Sequence, residues 1–170
     1  MFHRILVGVD DSPAARRALE RAIELAADGN ARLGLLTSAP QPPLVVATSP
    51  VVPPASRSQL ADEMVEWAQR CIEEATELVP AEIPVTKLLT HGDPAAALGR
   101  EAEKSCWDLI VVGQSQRRYR LRGPVGSRLR KQATPVLVVH DAPPAPTREG
   151  RFARRRSSRR AGAPVAAKGA

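Results

Sequence analysis

The residues best able to do chemistry lie in three short stretches, at positions 10–12, 113 and 126–127. Asp10, Asp11 and Ser12 close an apolar run that begins at Arg4 and has the pattern of a strand buried on both faces. Gly113 ends a second such run, residues 107–113, and Gly126-Ser127 opens a short helical pattern. The free N–H groups and dipole at a helix start favour an anion. In open α/β sheets ligands bind beyond the carboxyl ends of the strands, where strand order reverses, and all three stretches fall on that edge. Each also has a purely structural reading. Asp10, Asp11 and Ser12 can end a strand and cap a helix, and Gly126-Ser127 can simply begin one.

A cluster of cations sits beside the last stretch. Arg117, Arg118, Arg120, Arg122, Arg128, Arg130 and Lys131 fall within fifteen residues that contain no acid. Arginines there can make charge-assisted contacts to phosphate. They can equally form a solvated loop or touch a second subunit. Other reactive side chains organise nothing. Cys71 and Cys106 have neither metal-ligand nor redox spacing, and Cys71 falls on a helical apolar stripe, where a buried, inert thiol is expected. His3, His91 and His140 are far apart in sequence and make no metal site. No Ser/His/Asp or paired-carboxylate arrangement stands out, which argues against a dedicated hydrolase and for a non-enzymatic protein.

The elements that would position these groups alternate. Strands are read at residues 4–10, 32–38, 84–90, 107–113 and 134–140. Helices are read at 13–27, with Gly29 just past its end, at 58–79, at 94–104 with Asp93 as cap, and at about 126–132. Six prolines in residues 39–57 mark that stretch as a long loop, and loops of that length in compact domains are often functional. Leu60, Met64, Trp67, Cys71, Ala75 and Leu78 form the stripe of the second helix. Alternating strands and helices mean βαβ units and a doubly wound parallel sheet.

The formal charge of +7 divides unevenly. From Asp141 onward there are eight Lys/Arg and two Asp/Glu, so residues 1–140 are close to neutral. Residues 142–170 read as a disordered Arg/Pro/Ala-rich basic tail following one domain at 1–141. Its run Arg154-Arg155-Arg156-Ser157-Ser158-Arg159-Arg160 can bind nucleic acid or another acidic partner in a salt-dependent way. A solubilising extension is the plainer reading. The start of the chain has no signal-peptide layout, and no apolar stretch approaches a membrane span, so a cytoplasmic protein is expected.

The chain resembles the universal stress protein family across residues 3–140. The resemblance rests on residues 5–12 (Ile-Leu-Val-Gly-Val-Asp-Asp-Ser), on Gly92-Asp93-Pro94, on residues 108–113, on Gly126-Ser127 and on residues 135–139. It implies a five-stranded α/β/α sandwich of strand order 3-2-1-4-5, with strands one and four flanking the crevice. It also implies a homodimer through the last strand. ATP-binding members carry Gly-x2-Gly-x9-Gly-Ser/Thr after strand four. Gly113, Gly126 and Ser127 match that spacing, whereas Gln116 replaces the second glycine. A glutamine there must accept a strained backbone, at about 1–3 kcal/mol, or the loop takes another shape.

By this resemblance the nucleotide-binding set is Asp10, Asp11, Ser12, Gly113, Gln116, Gly126 and Ser127. Asp10 and Ser12 fall toward the ribose, and Gly113, Gly126 and Ser127 toward the phosphates. ATP is the implied ligand, with magnesium only where ATP is bound. The expected function is a dimeric regulatory or binding module of the stress response. The alternatives are a slow ATPase or nucleotidyl transferase in the same crevice, or acidic-partner or nucleic-acid binding through the tail.

Overall fold

The computed structural model describes residues 1–41, 47, 49–114, 125–129 and 132–140, with the backbone alone at Gly126 and Ser127. Gln116, most of the arginine cluster and the basic tail lie outside the described residues. The described residues form nine elements in order: β1 (Arg4–Gly8), α1 (Pro13–Gly29), β2 (Arg32–Ala39), α2 (Pro54–Glu77), β3 (Val85–His91), α3 (Pro94–Lys104), β4 (Leu109–Gln114), α4 (Val125–Arg128) and β5 (Val136–His140).

The strands pair in the order β3-β2-β1-β4-β5, all parallel, as expected. β1 is central because its run can be buried on both faces: Ile5 pairs with Leu33 on one side and Leu109 on the other. Side chains alternate across the pleat, so each strand feeds two cores. Ile5, Val7, Leu35 and Val111 pack against Leu19 and Ala22 of α1 and Ile72 of α2. On the opposite face Leu6, Leu36, Ile110 and Val112 pack against Ala95 and Leu98 of α3 and against Trp107 and Leu129.

Two helix starts follow their local chemistry. The Ser12 hydroxyl accepts the Ala15 N–H at 3.1 Å, with Pro13 in the first turn. An Asp93 carboxylate oxygen accepts the Ala96 N–H at 2.9 Å, with Pro94 next. Three readings need correction. Gly29 is the last residue of α1, and Asn30 takes the left-handed turn at φ 47°. α2 begins at Pro54, four residues before the expected Ser58, because proline fits a first helical turn. The loop after β2 is therefore shorter, and Arg57 binds it by donating to the carbonyl oxygens of Ala47, Ser49 and Val52. Leu78 lies beyond α2 and is 43% exposed, and of the expected stripe only Cys71 and Ala75 are buried, with Ala68 and Ile72 beside them.

α3 ends on a residue ill suited to its conformation. Cys106 sits at φ 50°, and beyond it the Trp107 N–H closes onto the Ala102 carbonyl at 3.2 Å. This is the left-handed turn that glycine normally supplies. Cys106→Gly is expected to stabilise the protein by about 1 kcal/mol, the left-handed penalty removed. Urea denaturation would measure it, and an unchanged or lower midpoint would contradict the strain.

Candidate functional site

The crevice forms where β1 and β4 end side by side, with α1 on one face of the sheet and α4 on the other. It encloses a cavity of about 200 Å³ at the carboxyl edge of the sheet. Leu36, Val112, Leu98, Val125, Trp67 and Pro40 supply an apolar wall. The polar side is made by Asp10, Ser12, Thr37 and Ser38.

The polar groups are held by a network anchored in the sheet. Beyond β1, the Val9 N–H donates to the Leu36 carbonyl at 2.9 Å, and the buried Thr37 hydroxyl donates to the Val9 carbonyl at 2.6 Å. Ser38 Oγ donates to the Gly92 carbonyl at 2.8 Å, and the Gly92 N–H returns to the Ala39 carbonyl at 3.0 Å. The turn entering α3 is thereby stitched to the end of β2. Asp10 Oδ1 accepts the Ser12 N–H at 2.8 Å, which fixes the carboxylate. Its second oxygen has no hydrogen-bond partner among the described residues, and Asp10 lines the cavity.

The expected site residues are only partly brought together. Asp10, Ser12 and Gly113 all line the cavity. Asp11 lines a neighbouring groove between α1 and α2 instead. Gly126 and Ser127 lie on α4, whose first residue, Val125, reaches the cavity, and Gln116 lies outside the described residues. Gly113 carries a second burden. A Cβ there would stand 2.2 Å from the Ala14 carbonyl carbon, so β4 meets the backbone of α1 at this point. Thr37 and Ser38 were not singled out from the sequence. Their only signal is that two hydroxyl residues end the strand beside β1.

Arg128 is not a free cation of the arginine cluster. Its guanidinium forms a two-pronged pair with Asp93, one contact at 2.8 Å, and hydrogen bonding to that carboxylate raises its pKa further above the ordinary arginine value. The pair ties α4 to the start of α3. Asp93→Asn keeps a good cap and removes the ion pair, whereas Asp93→Ala removes both. The alanine variant is expected to be less stable than the asparagine variant by about 1 kcal/mol, the worth of a cap. Equal thermal midpoints for the two would contradict the capping role.

Among the described lining residues Asp10 alone is ionisable. Among the described residues no group of three or more His, Cys, Asp or Glu could hold a metal ion, and no helix is long and apolar enough to cross a membrane. Cys71 is buried with its pKa pushed up to about 11, first by desolvation and then by Asp11 and Asp10. Its thiol stays protonated and unreactive near neutral pH.

A model of the universal stress protein family matches residues 1–140. The chain belongs to that family. Among curated relatives it is similar to universal stress protein YxiE of Bacillus subtilis (strain 168), at 28% identity over 149 residues, covering 82% of this chain and 99% of the relative. Among solved structures it is similar to a universal stress protein family member from Burkholderia pseudomallei, at 30% identity and a TM-score of 0.65. That match covers 81% of this chain and 96% of the other. It is also similar to a universal stress protein solved in complex with cAMP, at 29% identity and a TM-score of 0.61. The latter covers 83% of this chain and 99% of that one. The five-stranded sheet in the order 3-2-1-4-5 is thus the fold of a universal stress protein.

Proposed function

We propose that this universal stress protein is a cytoplasmic, dimeric regulatory module without turnover of its own, holding an adenine nucleotide in the crevice between β1 and β4. The observation that carries the reading is the cavity at the strand ends, where an apolar wall faces one fixed carboxylate with an oxygen unpartnered among the described residues. The wall suits a flat base, and Asp10 can accept from ribose hydroxyls. Gly113, Gly126 and Ser127 lie at the phosphate end, where the family's motif spacing falls. The cAMP complex of a relative supports the ligand class. ATP would carry magnesium as the counter-ion of its phosphates. The dimer forms through β5, whose outer edge is unpaired among the described residues and whose residues Val136 to Val139 are half-buried.

Calorimetric titration with ATP, ADP, AMP and cAMP tests the reading. At least one nucleotide is expected to bind the native chain, and Gly126→Asp is expected to weaken it about 100-fold by setting a carboxylate against phosphate. No heat with any of the four at millimolar concentration would overturn it. ATP turnover that disappears in Asp10→Ala would favour the enzymatic alternative.

A further inference from the structure

Two features of this chain are opposite in charge, and of their residues the proposed function uses Asp10 alone. The first is a groove of about 580 Å³ along the seam between α1 and the C-terminal half of α2. Val9, Ala15, Leu19, Ala75 and Leu78 give it an apolar floor. Asp10, Asp11, Glu74 and Glu77 line it against a single cation, Arg16, which is drawn to Glu20 at 3.5 Å. Glu74 and Glu77 have no ion-pair or hydrogen-bond partner among the described residues. The Cys71 thiol opens on the same groove, 6% exposed and without a hydrogen-bond partner among the described residues. Its raised pKa, to which Asp11, Asp10 and Glu74 contribute after burial, reports negative charge along the groove. α2 as a whole carries six acids and two arginines, one of which, Arg57, is engaged by loop carbonyls.

The second feature is the segment after β5, where Arg151, Arg154, Arg155, Arg156, Arg159 and Arg160 fall within ten residues free of acids. β5 ends at the same carboxyl edge as β1 and lies two strands away, about 10 Å at ordinary strand spacing. The residues between His140 and Arg154 can span about 40 Å when extended. The chain is therefore long enough to pass the start of α1 and run into the seam.

We propose that the basic segment 151–160 of this chain docks in its own α1–α2 groove, with guanidinium groups on Glu74, Glu77 and the corner formed by Asp10 and Asp11. The planar guanidinium fork matches a carboxylate, and the arginine stems cover the apolar floor. Exposed ion pairs are individually weak. Tethering supplies an effective concentration on the order of millimolar, so a weak intrinsic affinity suffices. Such docking fades as salt shortens the screening length.

The test compares backbone amide shifts of the full chain with those of a full-length R154Q/R155Q/R156Q/R159Q/R160Q variant at low salt, and again at about 0.5 M NaCl. The expected differences gather on residues 10–19 and 71–78, disappear at high salt and persist on tenfold dilution. A Glu74→Gln/Glu77→Gln chain with the native tail should show the same groove shifts as the five-glutamine chain. Unchanged core amides in each variant confirm the fold. The absence of differences at low salt would overturn the proposal, as would differences gathered on another surface. Differences that vanish on dilution would assign the tail to a second copy, and a response seen only with added oligonucleotide would assign it to nucleic acid. Either would overturn docking within one chain.

Discussion

Gly113→Ala is expected to lower stability by about 3 kcal/mol or more, and the thermal midpoint by about 10 °C. The added methyl would stand 2.2 Å from the Ala14 carbonyl carbon, 2.3 Å from its oxygen and 2.5 Å from the Ala15 nitrogen. All three are backbone atoms in the first turn of α1, so no rotamer change can make room. Overpacking in cores usually costs about 1–3 kcal/mol because side chains yield. Here β4 and α1 would have to separate, and Val111 beside Gly113 packs in the same core as Leu19. Thermal unfolding followed by circular dichroism reads the effect. A midpoint within about 2 °C of the native chain, less than 1 kcal/mol for a domain of this size, would show that the contact relaxes cheaply. By resemblance Gly113 belongs to a phosphate loop, yet close packing alone already demands glycine at this position.

The second large effect is a coupling between Trp107 and Gly34. Trp107 is 6% exposed, with its ring edge lying where a side chain on β2 would otherwise project. A Cβ on Gly34 would come within 2.4 Å of Cη2 and 2.7 Å of Cζ2. The Arg4 guanidinium covers the ring at 5.3 Å, and the indole N–H points to Glu101 Oε1 at 3.4 Å. Trp107→Ala is expected to cost about 3–5 kcal/mol. Gly34→Ala alone is expected to cost about 2 kcal/mol through overpacking. In the Trp107→Ala background the same methyl enters the vacated space, and alanine is also preferred to glycine inside a strand. The double variant should therefore be more stable than the sum of the two by about 2 kcal/mol. A denaturant-measured cycle that closes to within about 0.5 kcal/mol would contradict the contact.

Much of this was legible because it is local. Ser12 and Asp93 announce their helices through capping chemistry that needs only the next three residues. The apolar run ending at Val9 and the run from Leu109 announce buried parallel strands because they lack alternation. The placement of Cys71 followed from helical spacing. What could not be read depends on residues far apart in the chain. The pairing of Arg128 with Asp93 spans 35 positions, and nothing in the acid-free run around Arg128 points to a carboxylate on another helix. Thr37 binds the Val9 carbonyl across a strand pair, and two hydroxyl residues at a strand end carry no pattern of their own. The close approach behind Gly113 is set by where α1 crosses β4, which spacing does not encode. Pro54 was read as a breaker because proline ends and begins helices alike, and only the surrounding chain decides between the two.

The most direct test of the central claim is a crystal structure of this protein grown with the adenine nucleotide that binds it in calorimetry. The crevice account predicts ligand density at the carboxyl ends of β1 and β4, with the base against the wall that includes Leu36 and Trp67. A ribose hydroxyl should stand within hydrogen-bond distance of the second carboxylate oxygen of Asp10. A nucleotide bound at any other surface, with the crevice left clear, would contradict it.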